Sequence, residues 1–194
     1  MPASSKRPSV VFATSNRGKL EEARAILKPF GIEVEQFDGK GIEIQADTNL
    51  EVAEHASRGA SAAAGRAVLV EDAGLYVDTL SGFPGPYSAY VFKTVGVDGL
   101  LRLLAGSSSR RARFVSSLAF CEPGAEPTTF EGTVSGTIAT RPRGSMGFGF
   151  DPVFVPRGGS RTFGELTVEE KCGLSHRAAS MKRFAKWYLA KFPR

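Results

Sequence analysis

Short apolar runs of strand character alternate with longer runs of helical periodicity through the first half of the sequence, and this alternation restricts the fold more than any other feature. Ser9–Ala13 is a β-branched and apolar run, and a helical pattern follows it. Glu33–Phe37 alternates as a second strand, Leu50–Ala64 has a second helical pattern, and Ala67–Val70 is a third apolar run. This order predicts an α/β fold in which helices flank a sheet.

The second half adds a predicted hairpin to this sheet. Ala112–Glu122 and Thr128–Arg141 are long strand-like runs, and Pro123, Gly124 and Pro127 separate them. This spacing is typical of an antiparallel pair. The central β-sheet is therefore predicted to be mixed, within a single domain that spans residues 1–194.

Three polar residues mark further helix starts. Asp98 can cap a short helix that runs through Leu104, and Ser107–Arg111 is expected to form a surface loop after it. Thr167 has an acid three residues later, which is the spacing of a capping box. Ser175 can begin the last helix, whose apolar stripe predicts core packing. The stripe consists of Ala178, Met181, Ala185, Tyr188 and Leu189.

Composition restricts the class of protein. Of the 194 residues, 42% are hydrophobic and 23% are charged, as in globular proteins. No apolar run approaches the roughly 18 residues that span a membrane, and the apolar stretch near the N-terminus is too short for a signal peptide. We therefore expect a cytoplasmic protein without a membrane partner. The formal net charge of +5 fits either nucleic acid or a substrate that carries several phosphates.

The turn between the first strand and the first helix is a candidate anion site. Its residues are Thr14, Ser15, Asn16, Arg17, Gly18 and Lys19. A strand-to-helix turn presents backbone N–H groups and the positive end of the helix dipole, and Lys19 adds a cation. The alternative is that Ser15 or Asn16 only caps the helix. The segment is not a Walker A loop, because the Gly and Lys-Ser/Thr spacing of that motif is absent.

Two adjacent acids, Glu71 and Asp72, follow the third apolar run and are predicted to stand at the end of its strand. Open α/β sheets place ligand-binding residues there, and Mg²⁺ prefers oxygen ligands and bridges phosphate oxygens. Glu43 can supply a third carboxylate. The alternatives are a solvated acidic turn for the pair and a surface charge for Glu43.

Three further segments are candidates for recognition. Gly82–Ser88 is rich in Gly and Pro, which predicts a shaped loop between apolar strands. In Gly144–Pro152, Phe148 or Phe150 can stack on a base, although aromatic residues between glycines are more often core residues. Lys171 and the Ser-His-Arg sequence that ends at Arg177 bring two permanent cations and an imidazole to a helix start.

Together these segments resemble the inosine triphosphate pyrophosphatase family of non-canonical purine NTP pyrophosphatases. The resemblance rests on ATSNRGK at Ala13–Lys19, VEDAGLYVDTLSGFPGPYS at Val70–Ser88, GFGFDPVF at Gly147–Phe154 and EEKCGLSHR at Glu169–Arg177. It implies an elongated α/β fold with a central mixed sheet and two lobes, a nucleotide in the cleft between them, and a homodimer.

The resemblance also implies roles for individual residues. Thr14–Lys19 would bind the triphosphate. Mg²⁺ would be held by Glu43, Glu71 and Asp72, with Asp72 also in the position of the base. The base and sugar would be surrounded by Phe148, Gly149, Phe150, Asp151, Lys171, His176 and Arg177.

Three positions depart from the family pattern. Ala73 stands where a serine usually follows the acid pair, so a hydroxyl contact near the phosphates or metal is missing. Arg58 best matches the family's lysine on the helix before the third strand, and it keeps the charge with different geometry. Ala89 replaces a residue that is basic in many relatives, which leaves Lys93 as a candidate substitute.

The predicted activity is Mg²⁺-dependent hydrolysis of ITP, dITP and XTP to the monophosphate and pyrophosphate, with no nucleic acid as partner. Two alternatives remain. A nucleic-acid-binding module would explain the basic charge and would bind oligonucleotides in a salt-dependent way. A non-catalytic nucleotide sensor would bind ITP with metal and not turn it over, and Ala73 is the feature that favours it.

Overall fold

A computed structural model describes residues 8–39, Ile42 and 44–193. Within these residues a seven-stranded mixed β-sheet has the order β2-β1-β3-β5-β6-β7, and β4 pairs with β3 outside this path. The strands are β1 Ser9–Ala13, β2 Glu33–Phe37, β3 Val68–Val77, β4 Pro84–Gly85, β5 Arg111–Cys121, β6 Thr128–Ile138 and β7 Phe154–Pro156. The helices are α1 Arg17–Leu27, α2 Asn49–Ala64, α3 Ser88–Thr94, α4 Gly96–Leu103, α5 Val168–Leu174 and α6 His176–Lys191. The predicted α/β class and mixed sheet are confirmed: β1 runs parallel to β2 and β3, and the remaining pairs are antiparallel.

Side-chain caps account for most of the helix starts. The Thr48 side chain accepts from the backbone of Glu51, whose carboxylate bonds back to Thr48, and this capping box starts α2. The box predicted at Thr167 starts α5, and Ser175 caps α6. The cap predicted at Asp98 is wrong. The helix α4 begins two residues earlier at Gly96, directly after α3, so Asp98 lies inside the first turn.

The third strand is longer than the sequence predicted. The apolar run was expected to end at the acid pair, but β3 continues to Val77 because β5 pairs with it along its whole length. Its parallel neighbour β1 is in register only at Phe12 and Ala13, opposite Leu69 and Val70. The acid pair therefore lies beside the end of β1 and in the middle of β3.

The hairpin predicted in the second half is confirmed as β5 and β6. The Gly- and Pro-rich segment was expected to lie between apolar strands, but a helix, α3, follows it. The Ser88 hydroxyl explains this arrangement, because it accepts from the backbone N–H of Leu75 at 2.8 Å and donates to the carbonyl of Gly85 at 2.7 Å. These bonds hold the segment against β3 and start the helix there.

Two large apolar clusters lie along the long strands. One packs β1 and the first residues of β3 against α1 and α6, and includes Phe12, Leu69 and Met181. The other surrounds the last residues of β3 and includes Leu75 and Phe154. The acids Glu71 and Asp72 of β3 lie between the two clusters along the strand, which fits the predicted two lobes. The predicted core role of the last helix is confirmed. Among the described helices, none has the length and apolar character needed to cross a membrane.

Candidate functional site

Glu71 and Asp72 point to opposite faces of the sheet, because successive side chains of a strand alternate. Glu71 lies on the face that α1 and α6 cover, where it contacts Lys19 and Arg177. Asp72 lies on the face that α2 covers, where it contacts Asn49. The two carboxylates therefore do not converge on one point in this structure, as their adjacency in sequence had suggested.

Both oxygens of the Glu71 carboxylate accept hydrogen bonds from buried protein groups. Its side chain is 0% exposed, Ser116 donates to Oε1 at 2.6 Å, and Arg177 Nε donates to Oε2 at 2.9 Å. Lys19 Nζ lies 3.7 Å from Oε2 and donates to the backbone carbonyl of the same residue at 2.9 Å. Burial alone raises the pKa of Glu71, but the charges of Arg177 and Lys19 outweigh it and hold the pKa below the ordinary value. The carboxylate is thus an anion that positions two cations.

Glu22 is a second buried carboxylate, which the sequence analysis missed. It is 4% exposed on α1, and it accepts from Lys171 Nζ at 2.7 Å and from Arg177 Nη1 at 2.5 Å. Burial raises the pKa of Glu22, and the two cations lower it further than burial raises it. The signal in the sequence was its place in α1: Glu22 lies one turn before Ile26, on the buried side of the helix.

Asp151 completes a group that we call the ion cluster: Lys19, Glu22, Glu71, Asp151, Lys171 and Arg177. Lys171 Nζ lies 2.5 Å from Asp151 Oδ2, and the backbone N–H of Phe148 donates to the same oxygen at 2.8 Å. Burial raises the pKa of Asp151, although Lys171 opposes the shift. The ion cluster holds three carboxylates and three cations, so its formal charge is zero.

The ring of Phe148 covers the ion cluster. Lys171 Nζ lies 4.9 Å from the ring centroid and Arg177 Cζ lies 5.3 Å from it, both within cation–π range. The ring also lies against Gly18, where an added Cβ would come within 2.5 Å of Phe148 Cδ1. Gly18 is therefore needed for the close approach of α1 to this ring.

Phe150 and His176 are buried in this structure. Phe150 is 2% exposed and packs in the core with its ring 5.5 Å from that of Phe92, so a ligand would meet its backbone and not its ring. His176 stacks on Phe114 at 4.7 Å, and its buried Nδ1 has no hydrogen-bond partner. Burial, together with the charge of Arg177, holds the pKa of His176 well below its usual value.

Asp72 is partly exposed and belongs to a separate chain of hydrogen bonds. Asn49 Nδ2 donates to Asp72 Oδ2 at 2.5 Å, and the Tyr76 hydroxyl donates to Asn49 Oδ1 at 2.5 Å. The part of the chain that the structure describes holds no group of three His, Cys, Asp or Glu side chains arranged for a metal ion. Glu43, the predicted third carboxylate, lies outside the described residues.

The predicted anion turn leads directly into the ion cluster. Asn16 Oδ1 accepts from the backbone N–H of Lys19 at 3.1 Å, so Asn16 is the cap of α1 that the alternative interpretation expected. Thr14 Oγ1 accepts from the N–H of Asn16 at 3.1 Å. Ser15, Asn16 and Arg17 are exposed, and phosphate binding by this turn stays a prediction.

The residues that depart from the family pattern lie outside the ion cluster. Arg58 forms an exposed ion pair with Glu126 at 2.6 Å. Ala73 is half-buried on β3 opposite Ser116, and Lys93 is exposed on α3. The structure thus brings five predicted residues into one network, namely Lys19, Glu71, Asp151, Lys171 and Arg177, and does not bring Arg58 to it.

Known proteins match this chain over nearly its whole length. A protein-family model described as the Ham1 family matches residues 10–187. The dITP/XTP pyrophosphatase of Methanopyrus kandleri is 51% identical over 92% of this chain and 95% of its own, and that of Thermococcus kodakarensis is 49% identical over 92% and 96%. The structure of a HAM1 protein from Coxiella burnetii has a TM-score of 0.83 and 29% identity, over 95% of this chain and 100% of its own. The resemblance inferred from the motifs is therefore confirmed, and the chain belongs to the Ham1 family.

Proposed function

We propose that this chain hydrolyses dITP, XTP and ITP to the nucleoside monophosphate and pyrophosphate. One observation carries the proposal: side chains from distant motifs, Lys19, Glu71 and Arg177, meet in one buried network between the two apolar clusters. The names of the Methanopyrus and Thermococcus relatives support the choice of substrate. Hydrolysis of non-canonical nucleotides in the cytoplasm would cleanse the pool from which nucleic acids are made.

The substrate is a polyanion, and the ion cluster has no surplus positive charge to meet it. Lys19 is the more accessible of its two lysines, with 17% of its side chain exposed against 3% for Lys171. Lys19 is therefore the residue that we expect to donate to the departing pyrophosphate. The Thr14–Lys19 turn would contact the same phosphates.

We propose Mg²⁺ as the cofactor that supplies the missing positive charge. Mg²⁺ is usually held by one or two carboxylates and by the substrate's own phosphates, so the partly exposed Asp72 fits this role and a full set of protein ligands is not needed. Glu43 remains a proposed ligand, and Glu71 would act by keeping Lys19 and Arg177 in place. When bound, the ion would withdraw charge from the phosphate that is attacked.

Because β1 ends beside the acid pair, a nucleotide that lies across this end of β1 would reach Lys19 on one face of the sheet and Asp72 on the other. Asp72 would also orient the attacking water and accept its proton. The water oxygen forms a bond to the α-phosphorus in line with the bond to the β-phosphate oxygen, which breaks as pyrophosphate leaves. Arg177 would select the base. Two of its three guanidinium nitrogens bind Glu22 and Glu71, so the third would donate to the 6-keto group of the purine.

The test is a panel of dITP, XTP, ITP, ATP and GTP with Mg²⁺, scored separately for pyrophosphate and orthophosphate. We expect pyrophosphate from the first three nucleotides, no turnover after chelation, and a loss of about two decades in kcat for Asp72→Asn. Orthophosphate as the product would indicate a different cleavage. Binding without turnover would instead support a nucleotide sensor.

We also propose that the protein is a homodimer. Three large side chains of one segment, Phe83, Tyr87 and Tyr90, are 39%, 42% and 68% exposed. They lie at and just after the loop that Ser88 holds against β3, so they form a fixed apolar surface that a second copy can cover.

A further inference from the structure

Tyr76, Asn49 and Asp72 form a chain of hydrogen bonds on the α2 side of the sheet, and we call it the relay. The Tyr76 hydroxyl donates to Asn49 Oδ1, and Asn49 Nδ2 donates to Asp72 Oδ2, each at 2.5 Å. Asn49 is 1% exposed, so its amide is removed from water and depends on these two partners. The relay uses none of the residues of the ion cluster.

Local structure places Asn49 with little freedom. The capping box of Thr48 and Glu51 sets the first turn of α2, and Asn49 is the first residue of that helix. Because Gly74 has no side chain, it leaves room for the side-chain amide of Asn49. A Cβ at Gly74 would come within 2.8 Å of Asn49 Oδ1 and 2.3 Å of the Gly85 carbonyl oxygen.

The two partners of the amide together fix its orientation. A primary amide can turn over and present either oxygen or nitrogen, but an ionised carboxylate only accepts, so the nitrogen faces Asp72. The amide oxygen then accepts from the Tyr76 hydroxyl, which holds the amide in that orientation. The ring of Tyr76 is held in turn by the guanidinium of Arg113, 4.9 Å from its centroid. Burial raises the pKa of Tyr76, so the phenol stays protonated and remains a donor.

We propose that Asn49 and Tyr76 are positioning residues that orient the Asp72 carboxylate for its role with water and metal. The inference rests on the proposed function of Asp72. Residues that hold a metal ligand or a base in one orientation often contribute about 10–100-fold to activity. An apolar side chain of similar size at position 49 would pack α2 against β3 equally well, whereas the amide gives Asp72 one defined orientation.

The kinetic test uses Tyr76→Phe, Asn49→Ala and the double variant. Tyr76→Phe keeps the ring under Arg113 and removes only the hydroxyl. We expect a roughly tenfold loss of kcat for dITP in Tyr76→Phe, an equal or larger loss in Asn49→Ala, and KM within about twofold of the wild type in both. Because the hydroxyl acts through the amide, Tyr76→Phe should cost nothing further once Asn49 is Ala.

The matched control is Tyr188→Phe, which removes a hydroxyl that donates to the Ser9 carbonyl at 2.7 Å and belongs to neither the relay nor the ion cluster. It should keep the wild-type kcat. If Tyr76→Phe also keeps the wild-type kcat and only its melting temperature falls, the relay is structural and the proposal is overturned. Independent, additive losses in the double variant would overturn the proposed order of action.

A second readout does not need activity. The Asn49 side-chain amide protons in an NMR spectrum of the ligand-free protein should shift in Tyr76→Phe and also in Asp72→Asn. If the wild type releases no pyrophosphate, the proposed function fails, and these resonances still decide whether the relay exists. Resonances that stay in place in both variants would exclude it.

Discussion

At the scale of single residues, Glu22 stabilises the ion cluster because Lys171 and Arg177 share its carboxylate. Glu22→Gln removes the negative charge, so the buried cations Lys171 and Arg177 each lose one acidic partner. We expect a loss of about 3 kcal/mol in the free energy of unfolding, the range for breaking a buried ion pair. Denaturant unfolding measures it. Glu21→Gln, at the exposed neighbouring position of α1, should stay within about 0.5 kcal/mol of the wild type.

Arg177 carries the prediction about selectivity. Arg177→Ala would remove the cation that Glu22 and Glu71 share and leave each with one cationic partner, so Arg177→Lys is the better variant: it keeps the charge, and its single nitrogen leaves no donor for the base. We expect kcat/KM for ITP to fall by a factor that corresponds to about 1–3 kcal/mol of lost transition-state stabilisation. The low kcat/KM for ATP should scarcely change. Steady-state kinetics on both nucleotides provides the measurement. Equal losses for ITP and ATP would mean that Arg177 contacts phosphate or sugar and not the base.

His176 predicts how stability depends on pH. An unfolded histidine has a pKa near 6.5, and the pKa of folded His176 lies well below it because the ring is buried. As the pH falls below 6.5, the His176 ring binds a proton in the unfolded chain and stays neutral in the folded chain. Stability should therefore fall by up to about 1.4 kcal/mol per pH unit. Glu22 and Glu71, with pKa values lowered from 4.5, lose their contributions only below that pH.

The experiment compares denaturant unfolding of the wild type and His176→Phe between pH 7.5 and 5. Phenylalanine can keep the stacking on Phe114 and does not titrate. The variant should lose less stability across this interval. His55→Gln, at an exposed position of α2, should behave like the wild type. Parallel curves for the wild type and His176→Phe would contradict the lowered pKa.

At the scale of elements, the contact between β3 and β4 depends on Gly74. A Cβ there would meet the backbone carbonyl of Gly85 at 2.3 Å, and backbone cannot move aside as a side chain can. Gly74→Ala should therefore cost about 1–3 kcal/mol of stability and reduce activity by displacing the relay. Gly59→Ala is the matched control, because no atom lies within 4 Å of a Cβ at that helical position. It should stabilise α2 by up to about 1 kcal/mol. Thermal unfolding of both variants tests the contrast.

At the scale of the whole molecule, the exposed aromatic surface around Tyr90 predicts self-association. Light scattering at micromolar concentration should give the mass of a dimer for the wild type. Tyr90→Asp places a charge on the most exposed ring of that surface and should halve the mass, because burying an unpaired charge is unfavourable. Thr133→Asp, at an exposed position of β6, should leave the mass unchanged. A monomeric wild type with full activity would show that no dimer is needed.

Local rules in the sequence determined the strands β1 and β2, the β5–β6 hairpin and the caps of α5 and α6, because each depends on residues close together in the chain. The motifs also indicated five members of the ion cluster.

Only the tertiary structure decided that β3 continues past the acid pair, since its partner β5 lies about 45 residues away in sequence, as the Glu71 and Ser116 contact shows. It also decided that Glu71 and Asp72 serve opposite faces of the sheet. Glu22 could not be assigned from the sequence, because a charge on the buried side of a helix is explained only by its partners, and those lie 149 and 155 residues further along the chain.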